Sequence, residues 1–255
     1  MSRYFIEISY KGTRYSGFQS QHNANTVQAE IEKALEVLRK EKTVLVGSSR
    51  TDTGVHALRN YFHFDSGLAL DRRAVVYKLN AILPGDIAIM DIVPVADDAH
   101  CRFDAISREY KYFIYQKKDP FLRETAYYYP YRIDRDRIGE AAEIVKGYTD
   151  FTSFSKRNTQ VKTFNCVINE SEWIEEGGCL VYRVKGNRFL RGMVRALTAT
   201  MLKVGRKRMT LEEFRAIIEL RDCTRASFAV PAHGLFLVTV NYPPDFLNND
   251  KVTGG

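Results

Sequence analysis

The sequence predicts an α+β protein of two ferredoxin-like halves, each with the element order β-α-β-β-α-β and an antiparallel sheet. Alternating apolar residues, as in RYFIEISY at residues 3–10, indicate strands. Apolar residues three or four positions apart, as in TVQAEIEKALEVLRK at residues 26–40, indicate helices. The same order of elements occurs twice along the 255 residues. Two such halves side by side are expected to flank a central cleft, which is a favoured place for a binding site.

The first half is predicted to occupy residues 1–105. Asn25 and Gln28 have the spacing of a capping box at the start of its first helix, and Pro84-Gly85 is a stop signal for the second. The remaining elements follow from the period of the apolar residues. The expected strands are residues 3–10, 43–47, 56–64 and 87–93, and the expected helices are residues 26–40 and 71–83.

The second half is predicted to occupy residues 106–245, with one extra helix. Gly177-Gly178 is a hairpin signal between two strands, and Thr210 with Glu213 forms a capping box before the extra helix. The polar, turn-rich residues 246–255 are expected to be a flexible tail. The expected strands are residues 108–116, 161–174, 179–186 and 234–242, and the other expected helices are residues 134–147 and 188–205.

The composition favours a basic cytoplasmic protein. The hydrophobic fraction of 45% and the charged fraction of 27% are ordinary for a globular protein, while the net charge of +7 favours a polyanionic partner. The four cysteines show no C-x-x-C spacing and the five histidines lie far apart, so no metal site is expected. We expect no signal peptide, and no apolar run approaches the roughly 20 residues of a membrane span.

The segment SSRTDTGVHA, residues 48–57, holds the first candidate for chemistry. Residues i and i+2 of an extended segment share a face, so Arg50 and Asp52 are expected to project together. A neighbouring guanidinium keeps a carboxylate ionised, and an ionised, positioned aspartate can act as a nucleophile. The alternative is a turn aspartate bonded to its own backbone. His56 is either a catalytic base or, as we prefer, a structural histidine.

Two triplets in this region resemble the aspartic protease motif. Asp52-Thr53-Gly54 spells D-T-G and Asp65-Ser66-Gly67 is a variant of it. Those enzymes need two carboxylates that share one proton, one from each equivalent half or subunit. Here both triplets lie in one half, and the chain also contains several helices. We therefore interpret Asp65-Ser66-Gly67 as a turn between a strand and a helix.

Basic residues are concentrated in one part of the second half. Arg188, Arg191 and Arg195 have i, i+3, i+7 spacing and are expected to share a helix face. The alternative is a charged helix face that is exposed to solvent and binds no ligand. In a basic protein we prefer a phosphate-binding surface. The further members of this predicted basic patch are Lys203, Arg206, Lys207 and Arg208.

The SRTDTGVHA segment resembles the RTDAGVHA signature of the TruA family of tRNA pseudouridine synthases. Further segments, in the family's order, are similar to family blocks from about Tyr4 to Tyr242, which is nearly the whole chain. These segments are YKGTRYSGFQSQ, LPGDIAI, HCRFDAISREYKYFIY, DFTSFSK, RFLRGMVRAL and GLFLVTVNY.

The resemblance implies a role for each matching residue. Asp52 matches the catalytic aspartate, Arg50 its ion-pair partner, and Arg195 an arginine that supports the aspartate. Tyr110 matches a tyrosine that stacks on the target uracil, and Leu235 an apolar residue that packs against the base. The expected fold is the pseudouridine synthase fold, with the central cleft binding RNA.

The resemblance also implies the reaction and the partners. The expected activity is isomerisation of uridine to pseudouridine in the anticodon stem-loop of tRNA, around positions 38 to 40, after base flipping. The expected assembly is a homodimer in the cytoplasm, with no membrane association and with no metal or small-molecule cofactor. Phosphate contacts are expected from Arg188, Arg191, Lys203 and Arg206. The main alternative is a non-catalytic RNA-binding module, because ferredoxin-like sheets also bind RNA without chemistry.

Overall fold

The computed structural model describes residues 1–157 and 161–247. Within them the chain forms nine strands and five α-helices, so the predicted α+β class is confirmed. The strands are β1 (Ser2–Tyr10), β2 (Val46–Gly47), β3 (His56–Ser66), β4 (Ile87–Val95), β5 (Ser107–Tyr115), β6 (Tyr127–Tyr128), β7 (Ile168–Glu176), β8 (Cys179–Gly186) and β9 (Leu235–Asn241). The helices are α1 (Val27–Arg39), α2 (Arg72–Ile82), α3 (Arg135–Lys146), α4 (Met193–Gly205) and α5 (Leu211–Glu219).

The chain divides into two compact units. Among the described residues, the first contains Met1–Ile106 and 237–247, and the second contains 107–157 and 161–236. Most of the closing strand β9, from Leu237 on, therefore groups with the first unit.

The first unit has the strand order of a ferredoxin-like sheet. β1 lies between β4 and β3 and is antiparallel to both, while β2 pairs with the other side of β3. In this register Phe5 faces His63 on β3, and Ile6 faces Ile92 on β4. Phe5 and Ile6 are fully buried, which places the core of this unit along β1. α1 and α2, which also contact each other, complete the β-α-β-β-α-β order.

The second unit contains the order β5-β8-β7, and the pairs are antiparallel. β7 and β8 are joined across Gly177 and Gly178, whose φ angles of +58° and +76° are the left-handed values that the predicted hairpin needs. α3 packs on β7 and on α4. The short β6 runs parallel to β5. Val181, Tyr182 and Leu197 are among the fully buried side chains.

Several local predictions are confirmed and several are wrong. The Thr210–Glu213 capping box is present at the start of α5. The capping box at Asn25 is absent, because Thr26 is the N-cap of α1 and accepts from the Ala29 N–H. The strand expected at residues 43–47 shortens to Val46–Gly47, and the one expected at residues 161–174 begins only at Ile168.

The helix expected at residues 188–205 begins five residues later, at Met193. Gly192, its N-cap, has a φ of +76°, a left-handed conformation that interrupts a helix. A side chain there would also crowd Phe228 and Lys156, since a Cβ would lie 3.1–3.3 Å from their side-chain atoms. Arg188 and Arg191 therefore precede α4. The prediction that they share a helix face with Arg195 is wrong.

The last described residues pack on the first unit. Phe246 stacks on Tyr242, with ring centroids 5.2 Å apart, and its ring also contacts Phe5. The rest of the predicted flexible tail, residues 248–255, lies outside the described residues. Across residues 1–157 and 161–247, no helix has both the length and the apolar character that crossing a bilayer requires.

Candidate active site

Asp52 lies in the connection between β2 and β3, in the first unit. The Val55 N–H donates to the Asp52 carbonyl oxygen at 3.1 Å, and Gly54 has a φ of +78°, so residues 52–55 form a turn. Asp52 is half-buried and Arg50 is exposed. The sequence DTGV thus closes a tight turn that places Asp52 four residues before the start of β3.

A buried hydrogen-bond network fixes the backbone on the N-terminal side of this turn. Asn60, which is fully buried on β3, donates to the Ser49 carbonyl at 3.0 Å and accepts from the Ser48 hydroxyl at 2.7 Å. The same amide donates to the Tyr10 hydroxyl at 3.3 Å, and that hydroxyl lies 2.8 Å from the Thr51 Oγ1. Because these groups are buried, each bond is costly to break. The network therefore holds the residue next to Asp52 in place.

The segment after β1 supports the turn from another side. The Phe18 N–H donates to the Thr51 carbonyl at 3.1 Å, and the Phe18 ring stacks on Phe62, with centroids 4.4 Å apart. Gly12 lies so close to Val55 that a Cβ would overlap the Val55 backbone carbonyl. The glycine of YKGTRY is thus required by a close approach of two backbone segments.

His56 has a structural role at the exit of the loop. It is fully buried, and its Nδ1 accepts a hydrogen bond from the Gly12 N–H at 3.1 Å. Because the ring is fully buried and this nitrogen bonds the backbone of the segment after β1, His56 holds that segment against the loop. The structure therefore favours our preferred interpretation over a catalytic base.

Asp65 belongs to an ion pair. The Arg3 Nε and Nη2 donate to its two carboxylate oxygens at 2.8 and 2.9 Å, and this guanidinium lowers the pKa of Asp65. The Ser66 Oγ accepts from the Leu68 N–H at 3.2 Å, which makes the local turn. A carboxylate held by a bidentate arginine is unsuited to sharing a proton with a second carboxylate. The geometry gives no support to a protease dyad.

In the second unit, Tyr110 and Tyr112 lie on β5 with different surroundings. Tyr110 is half-buried, and its ring meets the Phe189 ring edge-on at 5.1 Å. Tyr112 is fully buried, and its hydroxyl donates to the Pro231 carbonyl at 2.7 Å. Burial raises the pKa of Tyr112, so this phenol stays protonated and structural. Of the two tyrosines, Tyr110 is the one with ring surface left for a ligand.

Arg195 lies on the first turn of α4 and is half-buried. Its Nε and Nη2 both donate to the Val230 carbonyl, at 3.0 and 2.6 Å. Two of the five guanidinium N–H groups therefore fix the direction of this side chain. Leu235 is buried at the start of β9. It follows Gly234, where a Cβ would lie 2.8 Å from the Tyr112 ring.

The predicted basic patch is less regular than expected. Lys203 is exposed on the last turn of α4, Arg191 is exposed before the helix, and Arg188 is half-buried. Arg206 stacks on the Tyr131 ring, its guanidinium carbon 3.8 Å from the ring centroid. Arg206 thus combines a positive charge with an aromatic surface, as nucleic-acid-binding sites often do.

The residues that hold the Asp52 loop were not predicted from the sequence. In the sequence, Tyr10 does not differ from an ordinary strand residue, and Thr51 does not differ from an ordinary loop residue. One usable signal was Asn60, since asparagine is depleted in strands and this one sits within the predicted strand HALRNYFHF. A buried polar side chain in such a place must have hydrogen-bond partners.

Comparison with known proteins agrees with this architecture. The family model described as tRNA pseudouridine synthase matches residues 7–104 and 141–243. This match includes both the Asp52 loop and the segment that contains Arg195 and Leu235. The chain therefore belongs to the tRNA pseudouridine synthase family, whose members are isomerases.

Curated relatives resemble the chain over nearly its whole length. A tRNA pseudouridine synthase A from Parabacteroides distasonis is 48% identical over 246 residues, which cover 96% of this chain and 98% of the relative. The protein of the same name from Porphyromonas gingivalis is 43% identical over 249 residues, 96% of this chain and 99% of the relative. The one from Bacillus subtilis is 40% identical over 239 residues, 92% of this chain and 97% of the relative. The resemblance to the TruA family is confirmed.

Proposed function

We propose that this chain isomerises uridine to pseudouridine in the anticodon stem-loop of tRNA, around positions 38 to 40, with Asp52 as the essential carboxylate. The observation that carries the proposal is the Asp52 turn, which presents a half-buried carboxylate on a backbone held by a buried network. A surface turn would not need such support. Catalysis does, because a misplacement of about 1 Å can cost on the order of 100-fold in rate.

The reaction suits one fixed carboxylate. The N1–C1′ bond of uridine breaks, the base turns, and C5 joins C1′, after which the C5 proton leaves. Asp52 either attacks C1′, attacks C6 of the uracil, or removes a ribose proton. Each route needs an ionised oxygen at a fixed position. The isomerisation changes no oxidation state, so it needs no redox cofactor.

Four further residues are proposed to act on the same uridine. Arg50 pairs with Asp52 and fills the space that the flipped base leaves. Arg195 supports the aspartate, and Leu235 packs against the base. Tyr110 stacks on the uracil, which contributes about 1–3 kcal/mol. Such stacking offsets part of the few kcal/mol needed to flip the base out of its helix.

We propose tRNA as the partner and a cytoplasmic homodimer as the assembly. The net charge of +7 and the pI of about 9.1 support a polyanionic substrate, since lysine and arginine release counterions from phosphates. Arg188, Arg191, Lys203 and Arg206 are the proposed phosphate contacts. Relatives named tRNA pseudouridine synthase A support the choice of RNA.

The deciding experiment measures tritium release from tRNA labelled with [5-³H]uridine. Asp52→Asn should abolish release while tRNA binding, measured by filter retention, stays near the wild-type value. Thr53→Ala is the matched control, because this exposed neighbour in the same turn should tolerate the change and keep its activity.

Three outcomes would contradict parts of the proposal. Full activity of Asp52→Asn would refute the proposed role of that carboxylate. Release from wild-type protein at uridines outside the anticodon arm would keep the enzyme class and refute the position. Tight tRNA binding without any release would favour the non-catalytic binding module.

A further inference from the structure

Three potential metal ligands meet in the first unit, away from the Asp52 turn in the sequence. His63 is on β3, while His100 and Cys101 are in the turn that follows β4. One ligand atom from each lies within 4.8 Å of the other two. The sequence predicted no such cluster because His63 is far from His100 along the chain. The pairing of β1 with β3 and β4 brings them together.

The cluster is enclosed but reachable. Cys101 is fully buried and His63 is 5% exposed, while His100 is half-buried and leaves a path from the surface. The imidazole rings of His63 and His100 meet edge-on, with centroids 4.7 Å apart. Cys101 carries a reduced thiol. Two imidazoles and a thiol are the donors that Zn²⁺ prefers in proteins.

One edge of the cluster already has the spacing of a zinc site. Zn–N bonds of about 2.1 Å and Zn–S bonds of about 2.3 Å in a tetrahedron place the nitrogen and the sulfur about 3.5 Å apart. The His63 Nδ1 and the Cys101 Sγ are 3.3 Å apart and share a hydrogen bond, which the metal ion would replace. All three ligand atoms lie within 4.8 Å of one another, so small side-chain adjustments bring them to coordination distance.

A metal ion bound to these three residues would replace weak contacts that they make in the structure. The Cys101 N–H donates to the His63 Nδ1 at 3.3 Å, which is long for a hydrogen bond, and the Cys101 thiol points at the Val46 carbonyl at 3.0 Å. The His100 Nδ1 accepts from the Arg102 N–H at 3.1 Å, a contact within one turn. Metal coordination is much stronger than these contacts.

The surrounding charges permit a cation. Two cations, Arg3 and Arg102, lie near His100. Arg3 is neutralised by its bidentate pair with Asp65. The Asp104 carboxylate accepts from the His100 backbone N–H at 2.7 Å, so a negative charge lies beside the cluster.

We propose that His63, His100 and Cys101 bind one Zn²⁺ ion, with water in the fourth coordination position. The Cys101 thiol loses its proton to solvent as the Zn–S bond forms, and no oxidation state changes. The ion would tie β3 to the turn after β4. This inference is independent of the proposed tRNA chemistry.

The test uses the whole protein, first stripped with a chelator and then titrated with Co²⁺ as a spectroscopic probe. We expect one Co²⁺ per chain, a near-ultraviolet thiolate-to-cobalt charge-transfer band, and its displacement by one equivalent of Zn²⁺. Zn²⁺ should also raise the Tm in a concentration-dependent way. Cys101→Ser should lose the charge-transfer band, and His100→Gln should weaken binding at least tenfold.

Matched variants make the result interpretable. Cys179→Ser removes another buried thiol, and His22→Gln an exposed histidine; both should bind like wild type. Circular dichroism identifies any variant that fails to fold, and the half-buried His100 makes His100→Gln the mildest change. No charge-transfer band in wild type, or a band that persists in Cys101→Ser, would overturn the proposal. Tritium release by the stripped protein should be unchanged, and this readout is separate from metal binding.

Discussion

Replacing Tyr10 by phenylalanine tests whether the buried network positions Asp52. The substitution removes one hydroxyl, which accepts from the Asn60 amide at 3.3 Å and lies 2.8 Å from the Thr51 Oγ1. The ring stays, and its contact with Phe18, at 5.9 Å between centroids, keeps the packing intact. The change therefore removes hydrogen bonds without making a cavity.

The expected cost in stability follows from the groups that lose a partner. A buried polar group left unsatisfied costs about 1–3 kcal/mol, and here the Asn60 amide keeps its bond to the Ser49 carbonyl. We therefore expect a loss of about 1–2 kcal/mol, which lowers the Tm by about 2–8 °C in a chain of this size. Because Thr51 precedes Asp52, we also expect a fall in kcat of about 10- to 100-fold, with KM nearly unchanged.

The assay is tritium release from [5-³H]uridine-labelled tRNA, at a temperature where each variant is fully folded. Tyr61→Phe is the matched control, because its buried hydroxyl donates to Glu7 at 2.6 Å and has no bond to the loop. That control should lose stability and keep its kcat. If Tyr10→Phe loses only stability, as the control does, the network does not position the carboxylate.

Three further predictions concern other parts of the chain. Gly12→Ala should destabilise the protein by about 3 kcal/mol or more, because a Cβ there overlaps a backbone carbonyl. Urea denaturation measures this loss. Gly67→Ala is the control and should change the urea midpoint little, because open space surrounds Gly67. Burial alone would raise the pKa of Glu7, but hydrogen bonds led by Arg59 outweigh burial, and the pKa is lowered. The contribution of Glu7 to the free energy of unfolding is therefore present above pH 4.5 and is lost as the pH falls below that value. Urea denaturation should therefore show a smaller difference between pH 7 and pH 4 in Glu7→Gln, and an unchanged difference would contradict this account. Arg191→Ala should weaken tRNA binding and reduce the slope of log K against log salt by about one unit, and an unaltered slope would exclude a phosphate contact.

Local sequence signals predicted the elements well where neighbouring residues decide the structure. The glycines of the Gly177-Gly178 turn adopt the positive φ angles that the hairpin requires. The Thr210 cap is present because its partner is only three residues away. The helix expected to begin at residue 188 begins later, because contacts with residues distant in the sequence decide where it starts. Apolar periodicity continued through Gly192, but close packing around this glycine selected a left-handed conformation instead.

The candidate site, too, could be predicted only in part from the sequence. The R-T-D motif and its position at the end of a strand were readable from residues 48–57, because residue type and spacing define the chemistry. What keeps Asp52 in place was not readable. Tyr10 and Asn60 lie 50 residues apart, and their hydrogen bond exists only because β1 pairs with β3.

The sequence by itself determined the α+β class, the repeated element order, the basic character and the catalytic candidate, since each depends on residue type and on neighbours a few positions away. Only the tertiary structure decided which buried polar groups meet. The network behind Asp52 and the cluster of His63, His100 and Cys101 both depend on strand register. A shift of one residue in that register would move each side chain to the opposite face of its sheet, and neither set would form.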